Sequence, residues 1–389
     1  MLGNAESRDP ARPLVNRPSL LYVCPVIPAL AGNGLAMRAG AVLEALAERY
    51  RVSLLTVPMF GEVDREISQC LREICANVVT IPYHADTVRR IQEAGAANSA
   101  SNFDIVHVFR LVTVQFAKPY LKNPGTKRFL DLDDIESKTH RRIAALCRAT
   151  GNIAEADKEA AQAKRVELLE IAAFKMFDRI YVCSENDRRE LSERTSREVV
   201  VLRNVIRLPE AVTDPGAPPP FRFLFLGTLG YYPNEDGIRY FCTEVLPLIR
   251  ERALTQCTVE IVGAGKSGAL QNLTDDTVRL IGAVPDVRPV YERCHAMIVP
   301  IRAAGGTRIK ILEAFSYRRP VITTSIGAEG LDAVPGTHLL AADTPQDFAD
   351  ACLRVISDPA LVQALVENAH SLLLQSYTIR SLKAAVAAL

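Results

Sequence analysis

Short apolar runs alternate with longer segments of helical pattern almost from end to end, and the alternation is interrupted once, at 209–220, where the chain reads Pro215-Gly216-Ala217-Pro218-Pro219-Pro220. Apolar runs of four to six residues suit strands covered on both faces, and strands that alternate with helices form parallel sheets, because parallel neighbours need a crossover connection. Before the break such runs lie at 20–24, 52–57, 78–81, 103–108, 128–132, 179–184 and 199–204. A second α/β series follows and reaches about residue 375. At 389 residues the chain exceeds one ordinary core. The expected organisation is a disordered polar lead-in at 1–18, an α/β domain at 19–208, a linker at 209–220, a second α/β domain at 221–375, and a last helix at 376–389. A helical insertion at 137–177, rich in Ala, Lys and Glu at its centre, interrupts the first domain.

Composition narrows the function. A net charge of +1 gives no support to nucleic-acid binding. The nine cysteines show neither CxxC nor Cys/His metal spacing and suit a reducing cytoplasm. No apolar h-region opens the chain, so no signal peptide is expected, and no run approaches bilayer-spanning length. Tryptophan is absent, leaving eleven tyrosines as aromatic platforms.

The stretch Gly305-Gly306-Thr307-Arg308-Ile309-Lys310-Ile311-Leu312-Glu313-Ala314 carries the chemistry. It follows the apolar run 296–300. Two glycines let backbone N–H groups approach a ligand, and a helix opening there directs its positive end to the same place. Helical spacing is expected to put Lys310 and Glu313 on the face that carries Gly306. An anion would meet the N–H groups and Lys310, and the Glu313 carboxylate would accept hydrogen bonds from a vicinal diol. A nucleoside diphosphate with its ribose fits that order.

From about 221 to 340 the chain resembles the nucleotide-binding half of GT-B glycosyltransferases, in particular the family-4 group. Phe223-Leu224-Phe225-Leu226-Gly227-Thr228-Leu229 looks like that half's first strand and glycine turn, and Tyr232-Pro233-Asn234-Glu235-Asp236-Gly237 like its first helix start. Val259-Glu260-Ile261-Val262-Gly263-Ala264-Gly265, Arg279-Leu280-Ile281-Gly282-Ala283-Val284-Pro285-Asp286 and Arg319-Pro320-Val321-Ile322-Thr323-Thr324 follow in the family's order. The resemblance implies a fold of two Rossmann-like parallel-sheet domains facing a central cleft, with the last helix crossing back to the first domain. It implies a hexosyltransferase that takes a nucleotide-diphosphate sugar as donor and a hydroxyl acceptor, needs no metal or other cofactor, and retains anomeric configuration. Gly227, Thr228, Asn234, Gly263, Gly305, Gly306, Thr307, Arg308 and Glu313 would meet the donor, with Val284 and Pro285 near the base. Lys310 would stabilise the leaving diphosphate. Gly32, Gly34 and Arg38 resemble the first domain's glycine loop, which approaches the diphosphate from across the cleft.

The match has gaps. The family pattern is glutamate, seven residues, glutamate; Glu313 fills the second position, and Gly305 stands at the first. Thr228 replaces a common phosphate-binding arginine, and Asn234 a lysine. A bacterial subgroup of sugar transferases shares these departures. A nucleotide-sugar epimerase, a pseudo-glycosyltransferase and a non-catalytic partner subunit of the same fold remain alternatives.

Other motifs compete. Gly263-Ala264-Gly265-Lys266-Ser267-Gly268 fits the dinucleotide pattern, but Glu260 stands where a Walker loop needs its first glycine. Asp131-Leu132-Asp133-Asp134 fits a metal-binding Asp-x-Asp, an acceptor-binding or proton-handling turn, or a cap in which Asp133 or Asp134 starts the helix near Glu136. Asp133 is the catalytic candidate of this run and Asp134 the binding one. His107 is a catalytic candidate by resemblance, although a histidine in an apolar strand is more often a core residue. Arg110, at the same strand's end, is placed to meet an anionic group. The basic stretch 118–148, with Lys122, Lys127, Arg128, Arg141 and Arg142, offers either a peripheral contact with anionic membrane or a solvated face.

Overall fold

The structure, a computed structural model, describes residues 17–60, 66–84, 86–89, 91, 102–216, 218–265 and 268–387. The lead-in expected at 1–18 lies almost wholly outside these residues, as do Lys266 and Ser267.

Two parallel sheets organise the chain. The first has seven strands: β1 (Ser19–Cys24), β2 (Arg51–Thr56), β3 (Asn77–Thr80), β4 (Ile105–Phe109), β5 (Lys127–Asp133), β6 (Arg179–Val182) and β7 (Glu198–Val201), in the order β3-β2-β1-β4-β5-β6-β7. The second has six: β8 (Phe221–Leu226), β9 (Cys257–Val262), β10 (Val278–Gly282), β11 (Ala296–Val299), β12 (Val321–Thr323) and β13 (Leu340–Ala341), in the order β10-β9-β8-β11-β12-β13. Each is the doubly wound arrangement implied by the GT-B resemblance. Strand after strand is buried along its length, as in β4 and β9, because helices cover both faces.

Strand order reverses between β1 and β4 in one sheet and between β8 and β11 in the other. Loops leaving neighbouring strands in opposite directions open a crevice at their carboxyl ends, where ligands of such sheets bind. The sequence puts Gly32–Gly34 after β1, Arg110 after β4, Gly227 after β8 and the glycine loop after β11.

Three helices shape the first domain's side of the crevice. Helix α1 (Gly34–Ala47) is capped by Asn33, whose side chain accepts from Ala36 N at 2.9 Å. Helices α2 (Glu136–Ala149) and α3 (Ile153–Phe174) form the insertion and pack on one another. On the other side, α4 (Tyr232–Tyr240) follows β8 and α5 (Ile309–Ser316) follows β11. The last helix, α6 (Ile379–Ala387), lies on α1: Leu382 and Val386 enter the first domain's core, and Lys383 pairs with Glu44 at 3.0 Å and Glu48 at 2.6 Å. The proline-rich connection is tied to the second domain, where His295 Nε2 meets the Gly216 carbonyl at 3.1 Å and Arg319 donates to the Thr213 carbonyl at 2.5 Å.

Candidate active site

The glycine loop does not itself begin the helix. Helix α5 starts at Ile309, so Gly306 precedes it in a left-handed conformation (φ 61°) and does not share its face with Lys310. The two glycines are demanded from across the crevice. A Cβ on Gly305 would stand 2.1 Å from Thr139 Oγ1 and 2.7 Å from Asp134 Oδ2, and one on Gly306 would stand 2.9 Å from Asp134 Cβ. The insertion therefore seats on this loop, which explains a glycine where the family pattern has glutamate. Asn204, beyond β7, adds a second crossing: its amide donates to Asp133 at 3.0 Å and to Thr307 Oγ1 at 2.8 Å.

The loop keeps its own donors free. Among the described residues no acceptor faces the backbone N–H groups of Gly306 and Thr307. Lys310 Nζ reaches Asn234 Oδ1 at 2.9 Å and lies 4.6 Å from the Phe225 ring centroid. Asn234 in turn donates to the Thr228 carbonyl at 2.9 Å, which joins the β8 turn to the lysine. Gly227 is required because a Cβ there would stand 2.7 Å from Lys310 Nζ. The next turn packs just as closely, with a Cβ on Gly263 falling 1.7 Å from the Gly227 carbonyl oxygen. Burial, helped by the charge of Arg308 and opposed by Glu313, lowers the Lys310 pKa to about 7. Burial likewise raises Glu313 to about 7, with Lys310 opposing. No hydrogen-bond donor among the described residues reaches the Glu313 carboxylate. Val284 packs against the second domain's core while Pro285 is exposed beside it, and the Tyr317 hydroxyl lies under the influence of both Asp286 and Glu313. The loop expected near the base and the carboxylate expected on the ribose therefore share one side of the crevice.

Arg308 departs from the sequence expectation. Its guanidinium ties the loop together, donating to the carbonyls of Gly305 (2.9 Å), Gly306 (2.5 Å) and Glu329. It braces the glycine loop from within.

The acidic turn after β5 faces this loop. A bulge between Asp131 and Asp133 puts Asp133 at φ 66°, and Arg110 sits opposite at φ 71°. Both are conformations that residues other than glycine hold only when their surroundings enforce them. Arg110 Nη1 donates to the Leu132 carbonyl at 3.0 Å and to Asp134, and Nη2 meets Glu136 at 2.9 Å. Arg38 Nη2 holds Asp131 at 2.7 Å, while its Nη1 donates to the Leu202 carbonyl and to Asn204. These groups correct one expectation and bear on two of the alternatives that the acidic run offered. Arg38 is buried against Asp131 and offers nothing to a diphosphate. Neither Asp133 nor Asp134 caps α2, whose first flanking residue is Ile135 without a side-chain cap. The Asp-x-Asp run is matched with arginines and an asparagine, and among the described residues no group of three or more His, Cys, Asp or Glu could hold a metal ion. Burial raises the pKa of Asp133 despite Arg38 and Arg110; for Asp134 burial is outweighed by Arg110 and the Thr139 hydroxyl, and its pKa falls.

His107 is enclosed. Its ring stacks on Tyr181 (centroids 5.4 Å apart), meets Tyr22 edge-on, and points Nε2 toward Asp131 Oδ2 at 3.8 Å. At 2 % exposure it is a core residue behind the acidic turn and touches nothing in the crevice. Gly34 does reach the second domain's side, since a Cβ there would stand 3.0 Å from Ile309 Cδ1, whereas Gly32 is exposed at φ 113°.

The insertion supplies contacts that sequence reasoning missed. Arg142 donates to the Ala304 carbonyl at 2.8 Å and pairs with Glu329 at 2.8 Å; Lys138 pairs with Glu329 at 3.1 Å and with Asp187 at 3.0 Å. Ile143, Cys147, Ala156 and Ala303 close a small apolar cluster there. The basic stretch is thus no single positive face, for Arg128 also meets Asp178 and Arg141 meets Glu167. Among the described residues no helix is long and apolar enough to cross a membrane.

The sequence profile of the glycosyl transferases group 1 family matches residues 220–358, the whole of the sheet that carries Lys310 and Glu313. The match covers the second α/β domain and stops short of the first. An uncharacterized 44.6 kDa protein in the cps region of Klebsiella pneumoniae is 26% identical over 164 residues, which are 40% of this chain and 42% of that protein. The chain thus matches less than half the length of that curated relative. Similar solved structures include sucrose-phosphate synthase from Thermosynechococcus elongatus (TM-score 0.68, 15% identity, 95% of this chain and 98% of that one). Anabaena HepE in complex with UDP and glucose is another (TM-score 0.66, 13% identity, 96% and 99%), and the apo form of the lipopolysaccharide outer core galactosyltransferase WaaB a third (TM-score 0.60, 14% identity, 95% and 99%). These likenesses establish the GT-B fold of two Rossmann-like domains about a cleft. Within the matched segment Asn234 and Lys310 meet directly, on the helices that follow β8 and β11.

Proposed function

We propose that the protein transfers a hexosyl unit from a nucleotide-diphosphate sugar to a hydroxyl acceptor, retaining anomeric configuration and using no metal. The observation that carries this reading is the 305–313 segment: among the described residues, N–H groups at Gly306 and Thr307 without acceptors, a buried lysine held on Asn234, and a buried carboxylate without a hydrogen-bond donor. As the bond between the anomeric carbon and the diphosphate breaks, the electron pair stays on phosphate and the sugar becomes cationic. The N–H groups and Lys310 are aimed at the charge that develops, the condition for lowering a barrier rather than only binding substrate. Glu313 accepts the ribose hydroxyls. HepE, of like fold, holds UDP and glucose, which supports a nucleoside diphosphate as the group bound. Retention rests on the family resemblance.

Calorimetric titration with UDP, GDP, dTDP and NAD tests the reading. One nucleoside diphosphate binds at micromolar concentration, and Glu313→Ala abolishes that binding. Binding of NAD alone would replace the reading with a dinucleotide enzyme. Donor turnover with and without acceptor mixtures then separates a transferase from an epimerase, which needs no acceptor, and from a partner subunit, which consumes no donor.

A further inference from the structure

Beside the acidic turn, on the insertion, lies a second polar cluster with no part in the donor site. His140 on α2 meets Glu159 on α3 through Nδ1 at 2.6 Å, which fixes the ring and leaves Nε2 without a partner among the described residues. Glu136, one turn before His140, is joined to Arg110 at 2.9 Å, and its carboxylate feels both Arg110 and His140. From the second domain Tyr231, just ahead of α4, faces the same groups, its hydroxyl lying within electrostatic reach of Asp134, Arg110, Arg308 and Glu159. These side chains are partly open, and Tyr231 is 44 % exposed. The shelf therefore sets hydrogen-bond donors and acceptors within electrostatic reach of one tyrosine, and it adjoins Asp134, which touches the Gly305 position.

We infer that this shelf is the acceptor subsite, and that it takes a carbohydrate: His140 Nε2, held by Glu159, binds a sugar hydroxyl while the Tyr231 ring lies against the sugar's apolar face. An anionic acceptor headgroup fits worse, because Glu136 and Glu159 flank the imidazole. An apolar chain would leave the carboxylates and the guanidinium without solvent or partners. A sugar ring offers hydroxyls at its edge and C–H groups on its face, the combination that an amphipathic aromatic beside fixed polar groups recognises.

The inference rests on the proposed transferase reading, and the test keeps the two apart. The probes are methyl α- and β-glycosides of glucose, galactose and mannose, followed by saturation-transfer NMR on protein loaded with the nucleoside diphosphate that calorimetry identifies. At least one glycoside should bind. His140→Ala should weaken it about tenfold, the scale of one lost hydrogen bond, with nucleotide affinity and thermal midpoint unchanged. Tyr231→Ala should also weaken it, and His140→Gln, which keeps a hydrogen-bonding group, should recover part of the loss. A purely structural role for the dyad would move the thermal midpoint and spare glycoside affinity. Glycoside binding unaffected by His140→Ala, or absent in nucleotide-loaded wild type, overturns the inference. Failure of every nucleotide to bind overturns the donor reading instead.

Discussion

The acidic turn after β5 and the glycine loop after β11 face each other, and both are dense in buried charge, yet they handle it in opposite ways. In the turn every strong charge has a protein partner: Arg38 with Asp131, and Arg110 with Asp134 and Glu136. In the loop, among the described residues, Lys310 has an amide oxygen and an aromatic ring within reach, and Glu313 has no hydrogen-bond donor. Internal pairing holds Asp133 and Arg110 at positive φ and makes the turn a rigid wall. The loop's charges lack such ion-pair partners among the described residues, and burial draws both pKa values to about 7. Density of charge alone therefore does not mark a binding site; charge without a partner does.

The contrast breaks if Arg38→Met is benign. Removing one member of a buried pair leaves the other uncompensated, at a cost of roughly 3–5 kcal/mol. Chemical denaturation should show a loss of that order, with a fall in activity that follows unfolding.

Lys310→Met should do the reverse. Turnover should drop roughly a hundredfold or more, the scale of losing one key electrostatic donor, while the thermal midpoint holds or rises. The sign follows from linkage: a lysine whose pKa falls from 10.5 to about 7 on folding costs stability in full below 7, and the cost fades as pH climbs toward 10.5. Methionine removes that cost. Near-normal turnover would remove Lys310 from the mechanism.

A smaller effect should sharpen the account of how the two regions meet. Glu329 receives both Lys138 and Arg142 from the insertion in a partly exposed setting, where ion pairs contribute about 1 kcal/mol or less. Glu329→Gln should loosen the contact, raising donor KM a few-fold and lessening its dependence on salt. Small-angle scattering should detect a more open average shape. No change in either would mean that the Gly305–Thr139 contact and the apolar cluster hold the domains together without the ion pairs.

Much of the fold was legible because strands covered on both faces announce themselves: all seven apolar runs before the linker became strands of the first sheet, with ends shifted by at most three residues. The glycine loop stood out for a related reason, since glycine, lysine and glutamate at that spacing imply local chemistry. The reason for Gly305 was not, because it lies in Thr139 and Asp134, on another domain, and no local pattern marks such a contact. His140 and Glu159 were missed likewise, being ordinary helix residues until α2 and α3 pair. Arg38 followed a glycine loop in the right order, but order does not reveal that Asp131 lies waiting for its guanidinium. His107 carried a warning in its apolar neighbours, and the structure follows them.

The central claim is that the loop after β11 holds a diphosphate through a lysine that is easily deprotonated when unliganded. A bound diphosphate favours the ammonium and raises the lysine's pKa, so affinity must fall as pH rises above about 7, with proton uptake on binding. The direct measurement is calorimetry with UDP, GDP and dTDP at pH 8 in two buffers of different ionisation heat, on wild type and Lys310→Met. The account predicts buffer-dependent heat in wild type for the nucleotide that binds, and weak binding without that dependence in the variant. Equal affinity in both proteins, with no proton uptake in either, would contradict it.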